Sequence, residues 1–132
     1  MLQGGCFCGR IRYEVTGAPF HETNCHCSIC RRTTGAPFVT WFSVRPSEFR
    51  WVSGNPVRFR SSAKASRSFC AHCGTQLTFQ GDDYPDEIDV TTCSLDQPEA
   101  VPPRDHTYAG NKLPWIWLSD RLAQYPQARE QQ

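Results

Sequence analysis

Polar and apolar residues alternate with a period of two along much of this chain, and that pattern predicts strands. Arg10 to Val15 puts Ile11, Tyr13 and Val15 on one face of a half-buried strand. Phe20 to Asn24, Pro37 to Val44, Thr75 to Phe79 and Glu87 to Cys93 read the same way, the second of them rich in aromatic and β-branched residues. Trp51-Val52 and Val57 to Arg60, joined by the turn Ser53-Gly54-Asn55-Pro56, predict a hairpin. Ser61 to Phe69 is expected to be extended, and Asp105 to Tyr108 to form a short strand. Leu113 to Leu118 is expected to be an apolar closing segment with Trp115 and Trp117 on one face. Helical signals are brief: Arg31 to Thr34, stopped at Gly35, and Pro46 to Phe49, with Ser47 placed to cap it. There is no repeat, no linker and no longer helical pattern, so the expected fold is mainly β and predominantly antiparallel.

Composition narrows the class. A chain of 132 residues with 39% hydrophobic positions suits one globular domain. Its expected extent is 1–127, with 128–132 as a flexible tail. Fourteen Lys and Arg against thirteen Asp and Glu leave a formal charge of +1, without the basic field on which non-specific nucleic-acid binding depends. No apolar run approaches a membrane span, and the start lacks a charged and then apolar leader pattern, so a cytoplasmic protein is expected. Eight cysteines in a reducing compartment point to metal rather than disulfides.

Seven of those cysteines fall in three clusters: Cys6 and Cys8; Cys25, Cys27 and Cys30; Cys70 and Cys73. In an extended segment Cys25 and Cys27 leave one face, and Cys30 returns to it if the chain turns sharply after Ser28; His26 then faces away. Gly9 and Gly74 permit the tight turns that wrap a chain around an ion. Cys6 and Cys8 with Cys70 and Cys73 make a closed four-sulfur site, and a zinc ion clipping so long a loop contributes on the order of 10 kcal/mol of apparent folding free energy. Cys25, Cys27 and Cys30 then leave a tetrahedral ion one corner short, the form of a reactive centre. Three thiolates make zinc a weak Lewis acid but a good holder of a fourth soft ligand, such as an incoming thiol that would lose its proton there. Arg31 and Arg32 either offset that negative charge or form a solvated helical turn. Cys93 reads as a small core residue or, less simply, as the fourth ligand of the second site, and His72 as an exposed loop histidine or a ligand.

The motifs Gly5-Cys6-Phe7-Cys8-Gly9, Cys25-His26-Cys27-Ser28-Ile29-Cys30-Arg31 with Gly35, Phe69-Cys70-Ala71-His72-Cys73-Gly74-Thr75, Leu95-Asp96 and Pro114-Trp115, in this order, resemble the family of glutathione-dependent formaldehyde-activating enzymes, which includes centromere protein V. The resemblance implies a β-tent fold of small twisted antiparallel sheets, zinc-stabilised, with a structural zinc on Cys6, Cys8, Cys70 and Cys73 and a catalytic zinc on Cys25, Cys27 and Cys30. It implies a carbon–sulfur lyase that condenses formaldehyde with glutathione to S-(hydroxymethyl)glutathione, with small-molecule thiol and aldehyde substrates. Cys93 is outside the family pattern. The competing reading is a non-enzymatic zinc module for protein or chromatin binding.

Overall fold

The computed structural model describes residues 1–129. The alternating segments become eleven strands in two sheets. Leu2–Gly5 (β1), Arg12–Val15 (β2) and Phe49–Ser53 (β5) form a small antiparallel sheet in the order β1-β2-β5. The larger sheet contains Phe20–Cys25 (β3), Val39–Val44 (β4), Val57–Ser62 (β6), Ala65–Phe69 (β7), Gln76–Gly81 (β8), Ile88–Thr91 (β9), Asp105–Thr107 (β10) and Ala123–Gln124 (β11). Its order is β11-β10-β3-β4-β9-β8-β7-β6. One α-helix, Ser28–Thr34 (α1), and four 3-10 turns complete the described residues. The expected mainly β fold of twisted sheets with short helical turns is the one observed.

Two local expectations differ from the structure. The predicted hairpin across Ser53 to Pro56 does not form: β5 pairs with β2 in the small sheet, whereas β6 pairs with β7 in the large one, so the chain changes sheets at this turn. The hairpin lies one step later, between β6 and β7, closing at the pair Ser62 and Ala65. Pairing is predominantly antiparallel, as expected, with β10 alone running parallel to its neighbours β3 and β11 among the described strands. Finally, Leu113 to Leu118 does not pack as an apolar closing segment. Trp115 and Trp117 are 63% and 88% exposed, and the segment is pinned by the Lys112 ammonium, which donates to the carbonyls of Leu113 and Ile116 at 3.3 and 2.7 Å. Of the expected tail, Arg129 makes a two-pronged pair with Asp105 at 2.6 and 2.8 Å; residues 130–132 lie outside the described residues.

The two faces of the large sheet have different jobs because side chains alternate across it. Phe42 and Val44 of β4 turn toward the small sheet and join Ile11, Tyr13, Val15, Leu77, Ile88, Val90 and Leu95 in the main core. Tyr13 is the hub: its ring stacks on Phe49 at 5.2 Å and meets Trp51 edge-on, while its hydroxyl reaches Ser94 Oγ at 2.6 Å. Gly4 must be glycine here, for a Cβ would lie 2.5 Å from the Tyr13 hydroxyl and 2.6 Å from the Ser94 carbonyl oxygen. Val39 and Trp41 face the opposite way and pack with Cys25 and Cys30, so a second, smaller cluster lies behind the sheet.

A row of cross-strand neighbours, Arg67, Phe79, Asp89 and Ser43, runs over this second face. Burial pushes the Asp89 carboxyl up to about 7, against the hydrogen bond it accepts from Ser43 Oγ at 2.6 Å. The folded state thus binds a proton that the unfolded chain releases near pH 4, so stability falls as pH rises from about 4 through 7. Asp89→Asn is expected to raise Tm by about 3–5 °C at pH 8 and by nothing measurable at pH 4, read from thermal melts at the two values. A gain of equal size at both would overturn the assignment.

Candidate functional site

The four sulfurs of Cys6, Cys8, Cys70 and Cys73 lie within 4.8 Å of one another. Both contributing turns are built alike. In each, the first cysteine's N–H bonds to the carbonyl five residues on, Cys6 to Ile11 at 3.0 Å and Cys70 to Thr75 at 3.1 Å. In each, a glycine in the left-handed region closes the turn, Gly9 at φ 82° and Gly74 at φ 77°, with its N–H returning to the first cysteine's carbonyl. Backbone N–H groups then point at sulfur: Ile11 to Cys6 at 3.3 Å, and His72 and Cys73 to Cys70 at 3.4 and 3.5 Å. Such donors favour thiolate, and Cys73 is brought down to about 5 chiefly by the Thr75 hydroxyl. Sulfur separations of 3.5 Å between Cys6 and Cys8 and 3.8 Å between Cys8 and Cys70 fit a tetrahedron of zinc–sulfur bonds, whose edge is about 3.8 Å. Cys6 and Cys70 are buried and belong to the main core, so this cluster ties the small sheet to the β7–β8 turn.

Cys25, Cys27 and Cys30 converge in the same way, their sulfurs also within 4.8 Å of each other. Cys25 ends β3, wedged between β4 and β10, where it pairs with Val39 and Thr107. The sharp turn expected after Ser28 is the first turn of α1. Cys27 is its N-cap, its sulfur accepting the Cys30 N–H at 3.2 Å, and this places Cys30 Sγ 3.5 Å from Cys25 Sγ. Hydrogen bonds from Cys25 and Cys30 hold the Cys27 thiol down to about 2, helped by the charge of Arg67, and the same crowding pushes Cys25 up. A divalent ion would ionise all three. The donor sets thus suit a soft tetrahedral metal such as zinc at both clusters: four protein sulfurs at one, and three at the other among the described residues.

His26 faces away from the sulfurs, as its place between Cys25 and Cys27 predicts. It is fully buried against Phe38 and bonds through Nε2 to His106 Nδ1 at 2.9 Å, and His106 Nε2 reaches the Asp120 carboxylate at 2.7 Å. Asp120 can only accept, so His106 carries its proton on Nε2 and its Nδ1 accepts from His26 Nε2–H. Burial, reinforced by the neighbouring positive charges, holds His26 down to about 4 and therefore neutral.

The arginines of α1 do not face the sulfurs. Arg31 donates to the carbonyls of His26 and Asn111, and Arg32 is exposed on the helix. The guanidinium beside the cluster belongs instead to Arg67 on β7, which is 5% exposed, with Nη2 3.8 Å from Cys30 Sγ and Nη1 3.4 Å from Thr33 Oγ1. Its inward place on an alternating strand was the available signal, but an arginine there is more often assigned to solvent. Tyr108 also borders the site. It follows Thr107, the partner of Cys25, and sits in the left-handed region at φ 52°, a strained conformation for a tyrosine. Burial and then the charges of Cys25, Cys27 and Cys30 raise its phenol. Cys93 is not a core residue and joins neither sulfur group among the described residues: it is exposed in the 3-10 turn Thr92–Ser94, on the wall of a 330 Å³ cavity that Thr33, Cys73 and Thr75 also line. His72 is exposed in its turn and joins neither sulfur group.

Fold and site together define a class: a mainly β protein organised by two cysteine clusters, one of four sulfurs and one of three. Residues 1–111 match the family model described as glutathione-dependent formaldehyde-activating enzyme, and the chain belongs to that family. The matched stretch ends before Pro114-Trp115. A Halomonas elongata protein provisionally named for the same enzyme is 26% identical over 131 residues, covering 92% of this chain and 83% of its own. An uncharacterised lyase of Schizosaccharomyces pombe is 32% identical over 77 residues, 58% of this chain and 56% of its own. The crystal structure of a Rhodobacter sphaeroides protein superposes with a TM-score of 0.61 at 28% identity, covering 71% of this chain and 87% of that one. None of the described helices is long and apolar enough to cross a membrane.

Proposed function

We propose that the chain is a zinc-dependent carbon–sulfur lyase that condenses glutathione with formaldehyde, or a related aldehyde, to S-(hydroxymethyl)glutathione, working in the cytoplasm. The observation that carries this reading is the asymmetry of the two clusters: four protein sulfurs gather at one and three at the other among the described residues, so a tetrahedral ion at the second would have a corner for a substrate atom. Zinc, when bound, would supply a positive centre at which a thiol is held as thiolate. Cys6, Cys8, Cys70 and Cys73 would hold a structural ion, and Cys25, Cys27 and Cys30 a catalytic one. In the reaction the glutathione sulfur forms a bond to the carbonyl carbon, the carbonyl electron pair moves to oxygen, and that oxygen takes up the proton the thiol gave up. Nothing is oxidised or reduced. Arg67 lies where it opposes the build-up of negative charge, and Tyr108 stands at the rim of the site with its phenol protonated.

The test is the rate at which formaldehyde and glutathione reach equilibrium with their adduct, followed by NMR exchange spectroscopy with the zinc-loaded chain. Faster exchange than in buffer is expected, proportional to enzyme concentration. Retained zinc with no acceleration would favour the alternative, a non-enzymatic binding module.

A further inference from the structure

Arg67 poses a question of charge. Its guanidinium is 5% exposed, and within the described residues none of its hydrogen bonds or ion pairs reaches a carboxylate. Asp89, the acid on the same cross-strand row, is two strands away with Phe79 between, and it is bonded to Ser43. Nε is buried without a partner. The rest of the group is walled by aromatic faces, Phe79 at 4.9 Å and Trp41 at 5.9 Å. Cation–π contact with two rings offsets part of the cost of burying a full positive charge, on the order of 1–2 kcal/mol, whereas an unpaired buried ion costs several. The anion that remains to answer it is the cluster of Cys25, Cys27 and Cys30, whose Cys30 sulfur is one of its two hydrogen-bond partners.

We propose that Arg67 is the fixed counter-charge of the three-cysteine centre and that it selects an anionic fourth ligand over a neutral one. This rests on the reading of that cluster as a metal centre with a free corner. Three thiolates and a divalent ion sum to −1, and Arg67 brings the group to zero. A thiolate entering the fourth corner then makes −1 rather than −2, and in a site walled by Trp41 and Phe79 that difference weighs more than it would in water. Arg31 and Arg32, though adjacent in sequence to Cys30, cannot take this part, because Arg31 is spent on backbone carbonyls and Arg32 faces solvent. Arg67 acts through the centre rather than on the reacting atoms, so it is a positioning residue.

The experiment uses the full chain loaded with cobalt(II), whose visible bands report a change of fourth ligand, titrated with azide as a small anion and with imidazole as a neutral donor. The wild-type chain is expected to prefer azide. In Arg67→Met that preference is expected to fall about tenfold or more while imidazole affinity stays within about threefold, and Arg67→Lys is expected to keep most of it. A merely packing role would weaken both ligands alike in Arg67→Met, or neither. That result, or a wild-type chain indifferent to ligand charge, overturns the proposal; the wild-type comparison stands even if the variant fails to fold. The azide preference is read without glutathione or formaldehyde. A chain with an Arg67-dependent preference and no turnover would therefore sink the proposed reaction alone, and turnover with no such preference would sink this inference alone.

Discussion

Cys70→Ser is expected to leave the chain unfolded or aggregated at 37 °C, with neither cooperative melting nor metal at the four-sulfur cluster. Cys70 is 1% exposed within the main core and receives two backbone N–H groups on its sulfur. Its sulfur lies 3.8 Å from that of Cys8, 62 residues earlier in sequence, so one substitution opens the clip that joins the small sheet to the β7–β8 turn. A closed four-thiolate zinc site contributes about 10 kcal/mol of apparent folding free energy, comparable with the whole stability of a domain this size. Cys73→Ser should behave in the same way. Cys30→Ser, by contrast, should lose metal from the second cluster only and remain folded. Circular dichroism melts and metal content per chain separate these outcomes, and equal damage from Cys70→Ser and Cys30→Ser would show that the two clusters do not divide anchoring from reaction.

Cys27→Ser is expected to keep the fold and lose the reaction. Cys27 caps α1 through its sulfur, and serine is a better cap than most residues, so stability should change by less than about 1 kcal/mol. The substitution nevertheless replaces a soft ligand, whose thiolate the surrounding groups favour, with a neutral hydroxyl, which is not among the usual protein ligands of zinc. Loss of an outer-shell partner already costs a metal site about 10–100-fold, so removing a direct ligand should cost at least about a hundredfold in glutathione–formaldehyde exchange. Measured turnover within tenfold of wild type, with the second metal retained, would place the reaction elsewhere.

Much of this molecule is readable from short stretches. Ile11, Tyr13 and Val15 do face the core, the helix does stop at Gly35, and His26 does turn away from Cys25 and Cys27. Each is decided within a few residues by strand alternation or turn chemistry. The misreadings share a different character. Trp51-Val52 and Val57 to Arg60 look like the arms of one hairpin because the turn between them is favourable, but the two strands pair in different sheets, one with β2 and the other with β7. Trp115 and Trp117 suggest an apolar closing segment through hydrophobicity alone, but both side chains are exposed.

What the sequence determined by itself was the chemistry of the site: spacings of two and three residues place sulfurs on one face whatever the rest of the chain does, and glycines at 9 and 74 permit the turns that gather them. What only the tertiary structure decided was the company those sulfurs keep. Cys8 meets Cys70 because the small sheet folds onto one face of the large one, and Arg67 meets Cys30 across 37 positions of sequence because β7 lies in a row with β8, β9 and β4. The distinction is physical. Ligand geometry is a short-range property of dihedral angles, whereas the charge and burial around a metal centre depend on strand register between segments far apart in the chain, which local pattern does not encode.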